Sequence, residues 1–166
     1  FAMYLHFSPG ELLHRANQAI LAGQGSRLFT TAFVGYLDPA AGELAYASAG
    51  HNPPLLYRSE AASCEYLAAP GVAMGLFENA AYVERSTTIH PGDLLALYTD
   101  GITEAIDAHE HEFGSERLEA LIVQQARRPA GELAERILHA AADFGRSVGT
   151  TDDETLLIVK RLSTSR

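Results

Sequence analysis

Apolar positions along the chain change their spacing several times, and each change marks an element. Leu12, Leu13, Ala16, Ile20 and Leu21 recur at intervals of three and four, the period of one helix face. Ser8-Pro9-Gly10-Glu11 stands before them as a helix start, with Ser8 as N-cap, Pro9 in the first turn and Glu11 closing a capping box. Gly23 and Gly25 end that helix. From Leu28 to Leu37 the residues are rich in Phe, Thr and Val, which predicts a strand. Asp38-Pro39-Ala40-Ala41-Gly42 is a turn, and Glu43–Ser48 returns as the second arm of a hairpin. Short strands are expected at Leu55–Arg58 and near Glu65–Leu67, then a loop over Pro70–Phe77. Ala81–Ile89 alternates as a strand does, and His90-Pro91-Gly92-Asp93 turns the chain into Leu94–Tyr98. The last third is helical. Leu118, Leu121, Ile122 and Gln125 mark one helix after Phe113-Gly114-Ser115. Leu133, Ile137, Leu138, Ala141 and Phe144 mark another after Pro129-Ala130. A loop over Gly145–Thr151 leads to a final strand, Thr155–Val159.

Two strands, Leu94–Tyr98 and Thr155–Val159, are apolar at consecutive positions, whereas a sheet with one wet face would alternate. The tight turns favour antiparallel pairing. Strands buried on both faces, with helices near both ends of the sequence, predict an α+β chain: a four-layer α-β-β-α sandwich of mainly antiparallel sheets. Leu94–Tyr98 and Thr155–Val159 are expected to be antiparallel neighbours. The apolar opening Phe1-Ala2-Met3-Tyr4-Leu5 reads as the tail of a buried element, so the domain, placed at 1–162 with a tail at 163–166, is expected to be incomplete at its N-terminus.

Composition narrows the partners. The 166 residues carry 12 Lys and Arg against 21 Asp and Glu, a net charge of −9. That sign disfavours nucleic acid and anionic membrane, because phosphate backbones bind basic surfaces. A phosphate-handling site on so acidic a chain needs a bound cation. One cysteine, Cys64, forms no intrachain disulfide, consistent with a cytoplasmic setting. No apolar run approaches the ~20 residues of a membrane span.

Acidic residues cluster where the buried strands end. Asp100 and Gly101 follow Leu94–Tyr98; Asp152 and Asp153 precede Thr155–Val159. If the strands are antiparallel neighbours, the carboxylates share one end of the sheet, and a hard dication would relieve their repulsion. The alternative is that Asp-Gly and Thr-Asp-Asp are a turn and a cap. Glu104 is either a further ligand or an acid favoured in the first turn of a short helix. His51, between Gly50 and Asn52-Pro53-Pro54, either contacts a substrate or metal-bound water, or pins its own loop. His109 and His111, alternating with Glu110 and Glu112, read as a solvated face. Neither a Walker phosphate loop nor a Gly-x-Ser-x-Gly elbow occurs, and Cys64 lacks the basic neighbours of a reactive thiol.

Taken in order, Tyr46-Ala47-Ser48-Ala49-Gly50-His51-Asn52-Pro53-Pro54, Pro91-Gly92-Asp93, Thr99-Asp100-Gly101-Ile102-Thr103-Glu104-Ala105, Phe113-Gly114 and Asp152-Asp153-Glu154-Thr155 resemble the bacterial branch of the type 2C metal-dependent protein phosphatases. That branch includes stage II sporulation protein E and the stress-response sigma-factor regulators. The resemblance implies the α-β-β-α sandwich and a pair of Mn²⁺ or Mg²⁺ ions at one end of the sheets. It also implies attack of a metal-activated water on phosphoserine or phosphothreonine without a phosphoenzyme. Asp100 and Asp152 match metal-ligating aspartates, Glu104 falls where some relatives hold an additional ion, and His51 matches a hallmark histidine. The family's earlier Asp-x-x-Gly-His-Gly motif, whose Asp bridges the metals, does not occur in these residues. Glu154 stands where many relatives are aliphatic, on what is read as an edge-facing position.

The resemblance thus implies a phosphatase domain of a larger bacterial signalling protein, acting on a phosphorylated regulatory protein such as an anti-sigma-factor antagonist. The alternative is a catalytically inactive module of the same fold that binds a regulatory partner. Lacking the bridging Asp, this chain by itself is expected to bind Mn²⁺ weakly, to hydrolyse phosphopeptides poorly, and to self-associate.

Overall fold

The capping box forms as written in the sequence: Ser8 N donates to Glu11 Oε2 at 2.9 Å and Glu11 N donates to Ser8 Oγ at 3.4 Å. The structure is a computed structural model that describes residues 7–23, 29–146, 148 and 153–162. Helix α1 spans Pro9–Gly23. Strands follow as β1 (Ala32–Leu37), β2 (Glu43–Ala49), β3 (Leu55–Arg58), β4 (Ser63–Tyr66), β5 (Arg85–Thr88) and β6 (Leu94–Tyr98). The remainder is α2 (Asp100–Thr103), α3 (Gly114–Gln125), α4 (Ala130–Gly145) and β7 (Leu156–Lys160). The chain divides into two units: residues up to Pro53 with Ala68–Ile89, and Pro54–Leu67 with the residues from His90 onward.

In the first unit a three-stranded antiparallel sheet has the order β1-β2-β5. The expected hairpin is present, in register from Ala32↔Ala49 to Leu37↔Leu44. Its turn is held by Asp38 Oδ1, which accepts from Ala40 N at 2.8 Å and Ala41 N at 3.0 Å. Leu13 of α1 is buried with Ala47, Ala49, Met74, Ala80 and Tyr82, so the helical stripe read from sequence does face a core. Two strand readings were too long. The first strand begins at Ala32 rather than Leu28, and Thr30 makes only an isolated bridge to Met74. The strand expected over Ala81–Ile89 is reduced to Arg85–Thr88. The preceding residues find other partners: Val83 N donates to Pro70 O at 3.1 Å, and Gly10 N and Ser8 Oγ donate to Glu84 Oε1. Apolar spacing along the chain does not by itself make a ladder, because these backbone and side-chain groups bond elsewhere.

In the second unit a four-stranded antiparallel sheet has the order β4-β3-β6-β7. Leu55, Leu94 and Ala96 from one face of the sheet share a fully buried core with Ile102, Leu118, Ile122, Leu133 and Ile137 from the helices. Leu95, on the opposite face of β6, is also buried, so β6 is covered on both sides as its unbroken apolar run requires. The expectation fails for β7. It pairs with β6 from Leu94↔Lys160 to Tyr98↔Leu156, but Leu157 is 55% exposed. Among the described residues β7 is an edge strand with one neighbour, so its apolar run does not report two-sided burial. Lys160, on its helix-facing side, donates from Nζ to Ala126 O and Arg128 O, both at 2.6 Å. It thereby satisfies carbonyls left open at the end of α3. With every sheet pair antiparallel and the long helices grouped at the ends of the sequence, the chain is α+β.

Candidate metal-binding site

Strand β6 delivers its last residue, Tyr98, opposite Leu156, the first residue of β7. Thr99, still extended, is the N-cap of the four-residue helix α2 that follows. Thr99 N donates to Thr155 O at 3.1 Å. Its hydroxyl donates to Asp153 O and accepts from Thr155 N, both at 2.9 Å. The acidic segment before β7 is therefore stapled to the residue preceding Asp100. Asp100 is exposed, and Gly101 N donates to its Oδ1 at 3.1 Å. Asp153 is exposed as well. Asp152 lies outside the described residues.

Glu104 is exposed at the C-terminal cap of α2, where its N donates to Asp100 O at 2.8 Å. It is thus not a first-turn acid; Asp100 holds that position. Gly101 is buried inside the helix, and its φ is not in the left-handed region. Glu154 is partly buried, just before the edge strand β7, and its buried Oε1 has no hydrogen-bond partner. The donors on this rim are carboxylate and carbonyl oxygens, a set suited to a hard dication such as Mn²⁺ or Mg²⁺ rather than to a soft metal. Among the described residues no group of three His, Cys, Asp or Glu side chains converges as a complete metal site.

His51 belongs to the first unit. Its N donates to Ser48 Oγ at 3.2 Å, and its Nδ1 lies 3.1 Å from Thr31 Oγ1. The glycines around it are sterically required. Gly50 has φ +69°, and a Cβ there would lie 3.1 Å from Ala73 N. A Cβ on Gly71 would fall 1.9 Å from Ser48 O, which no backbone tolerates. His109 and His111 form a turn around Asp107, whose Oδ1 accepts from His109 N at 2.8 Å and His111 N at 3.0 Å. The backbone bond from His111 leads the effects that hold the Asp107 carboxyl below its ordinary range.

Three residues carry structural roles that the sequence reading did not assign. Asn17, fully buried in α1, donates from Nδ2 to Phe77 O at 2.9 Å and accepts from Gly75 N at 2.7 Å. A polar residue four positions after Leu13, on the apolar stripe, was the available signal. Asp93 is buried and accepts from Arg58 Nη1 at 3.0 Å, Ser59 N at 2.9 Å and His90 N at 3.0 Å. Burial raises its pKa, but the bonds from Ser59, His90 and Arg58, with the Arg58 charge, outweigh this and hold it low. Thr99 sits inside a motif read for its neighbour Asp100. Cys64 is half-buried, and burial together with Glu119 pushes its thiol up to about 12, the reverse of an activated nucleophile.

Among solved structures, the SiaA PP2C domain of Pseudomonas aeruginosa aligns with a TM-score of 0.81 at 24% identity, covering 92% of this chain and 61% of that one. The structure of the RsbU and RsbW domains of Rv1364c from Mycobacterium tuberculosis aligns at 0.79 and 28% identity, covering 99% and 45%. The α+β fold is thus that of the PP2C phosphatases. The phosphoserine phosphatase RsbU of Bacillus subtilis (strain 168) is 26% identical over 155 residues, 92% of this chain and 45% of RsbU. Protein IcfG of Synechocystis sp. (strain ATCC 27184 / PCC 6803 / Kazusa) is 37% identical over 91 residues, 55% of this chain and 14% of IcfG. The chain therefore spans less than half the length of either curated relative. The family model for stage II sporulation protein E (SpoIIE) matches residues 2–162, and the chain belongs to the SpoIIE family of PP2C-type phosphatase domains.

Proposed function

We propose that this domain hydrolyses phosphoserine or phosphothreonine on a regulatory protein of bacterial signalling, using two Mn²⁺ or Mg²⁺ ions, in the cytoplasm. The observation that carries the reading is the end of β6: Asp100 leaves the sheet beside the acidic segment that opens β7, joined to it through Thr99. Homology to RsbU, a phosphoserine phosphatase, supports the reaction class. No helix among the described residues is long and apolar enough to cross a membrane.

Asp100 and Asp152 hold the ions, with Glu104 and Asp153 at the margin of the site. When bound, such ions supply a water of lowered pKa and neutralise charge on the phosphoryl group. The remaining work falls to the protein, which must keep its carboxylates in place before the ions arrive. Residues 1–162 are read as part of that domain. These 166 residues contain no Asp-x-x-Gly-His-Gly bridge, so alone they bind Mn²⁺ weakly.

The test is a phosphoserine-peptide assay on the full-length protein with and without Mn²⁺, alongside Asp100→Asn and Asp152→Asn. Loss of turnover in both variants with the fold retained is the expected result. Undiminished turnover in either removes that residue from the site. A wild-type protein that binds its partner but turns over nothing would establish the inactive-module reading instead.

A further inference from the structure

We infer that Thr99 is a positioning residue for this site, its hydroxyl locking the acidic segment before β7 against Asp100. The inference rests on the metal-site reading above. A threonine hydroxyl has one proton to donate, and here that proton goes to Asp153 O at 2.9 Å while the oxygen accepts from Thr155 N at 2.9 Å. Both partners are backbone atoms, so the hydroxyl fixes the path of the chain rather than one rotamer. Thr99 N also donates to Thr155 O at 3.1 Å. That third bond survives any change of side chain and keeps β6 and β7 paired when the hydroxyl is lost. Loss of the hydroxyl therefore releases the segment just before Thr155, on the Asp153 side, and leaves the sheet register alone.

The consequence concerns charge. Asp100 and Asp153 are both exposed acids; Asp100 directly follows Thr99 in the chain, and Asp153 supplies the carbonyl that the Thr99 hydroxyl holds. Carboxylates of like charge separate when nothing holds them, and an ion must then draw them together at the expense of its own affinity. A hydroxyl that joins the two backbone segments makes that ordering part of folding. It acts as outer-shell partners of metal ligands do, without touching the ion.

The experiment compares Thr99→Val, Thr99→Ser and Asp100→Asn in the full-length protein. Mn²⁺ affinity is read by calorimetry, and amide exchange at Thr155 is read in the metal-free protein. Thr99→Val keeps the shape and loses both bonds. It is expected to weaken Mn²⁺ binding about tenfold or more and to speed exchange at Thr155. Thr99→Ser is expected to restore both readouts. If Thr99→Val does not fold, Thr99→Ala removes the same hydroxyl without adding bulk. Wild-type Mn²⁺ affinity in the valine or alanine variant, with affinity lost in Asp100→Asn, overturns the role of Thr99 and leaves the metal site standing. Equal loss in Thr99→Ser and Thr99→Val also overturns it, because the hydroxyl would then not be what matters. Unchanged affinity in Asp100→Asn overturns the metal-site reading and this inference with it.

Discussion

Arg58, the last residue of β3, and Asp93, the residue just before β6, form an ion pair at 3.0 Å, and the Asp93 side chain is only 3% exposed. Arg58 also meets Glu65 at 2.6 Å, so the guanidinium is shared between a buried and a half-exposed carboxylate. Removing one member of a buried pair strands the other, and the backbone donors of Ser59 and His90 lose their acceptor at the same time. Asp93→Ala is expected to destabilise the domain by about 3 kcal/mol. Arg58→Met should cost less, because Asp93 keeps its two backbone donors. Urea midpoints for the two variants check the order; a larger loss in Arg58→Met would contradict it.

The same aspartate sets an acid limit. Its folded pKa lies below its unfolded value of about 3.9. For a depressed carboxyl, the stabilisation is complete above the unfolded pKa and is lost as pH falls through the folded pKa. The stability difference between wild type and Asp93→Asn should therefore be constant near neutrality and shrink below about pH 4. Denaturation of both proteins across the acid range tests this. A difference that grew on acidification would rule out Asp93 as the linked group.

Asn17 is the only described buried residue of α1 whose side chain ties the helix to the loop at 75–77 through two backbone atoms. Asn17→Leu removes both bonds and leaves Gly75 N and Phe77 O without that partner. A loss of about 2 kcal/mol is expected. Faster amide exchange at Gly75, with the capping-box amide of Glu11 unaffected, would place the effect in the loop. Uniform acceleration through α1 would refute it.

Cys64, with its thiol held near 12, is expected to resist modification at neutral pH. Reaction with a thiol reagent at pH 7.5 should be far slower in the folded protein than in urea. Equal rates would show that the thiol is neither shielded nor raised. Cys64→Ser should leave the proposed phosphoserine turnover of the full-length protein unchanged.

Local chemistry was legible in the sequence wherever adjacent residues decide it. The capping box at Ser8 and Glu11, the turn at Asp38 and the β1–β2 hairpin depend on contacts a few residues apart, and each formed as read. The α+β class and the pairing of β6 with β7 were also legible, because motif order carried the fold and apolar runs carried the strands. Tertiary structure alone decided which apolar strand is an edge. Leu97 and Leu157 look alike in sequence, yet Leu157 is 55% exposed because β7 has a neighbour on one side only among the described residues. It decided also that Glu84 answers the start of α1 rather than extending β5, and that the Thr99 hydroxyl ties the residue before Asp100 to the segment before β7. These outcomes turn on partners 50 to 75 residues away, such as Asp153 for Thr99 and Gly10 for Glu84. A hydrogen bond's partner is chosen by which groups the folded chain brings within reach, and periodicity along the chain records only which side of an element is apolar.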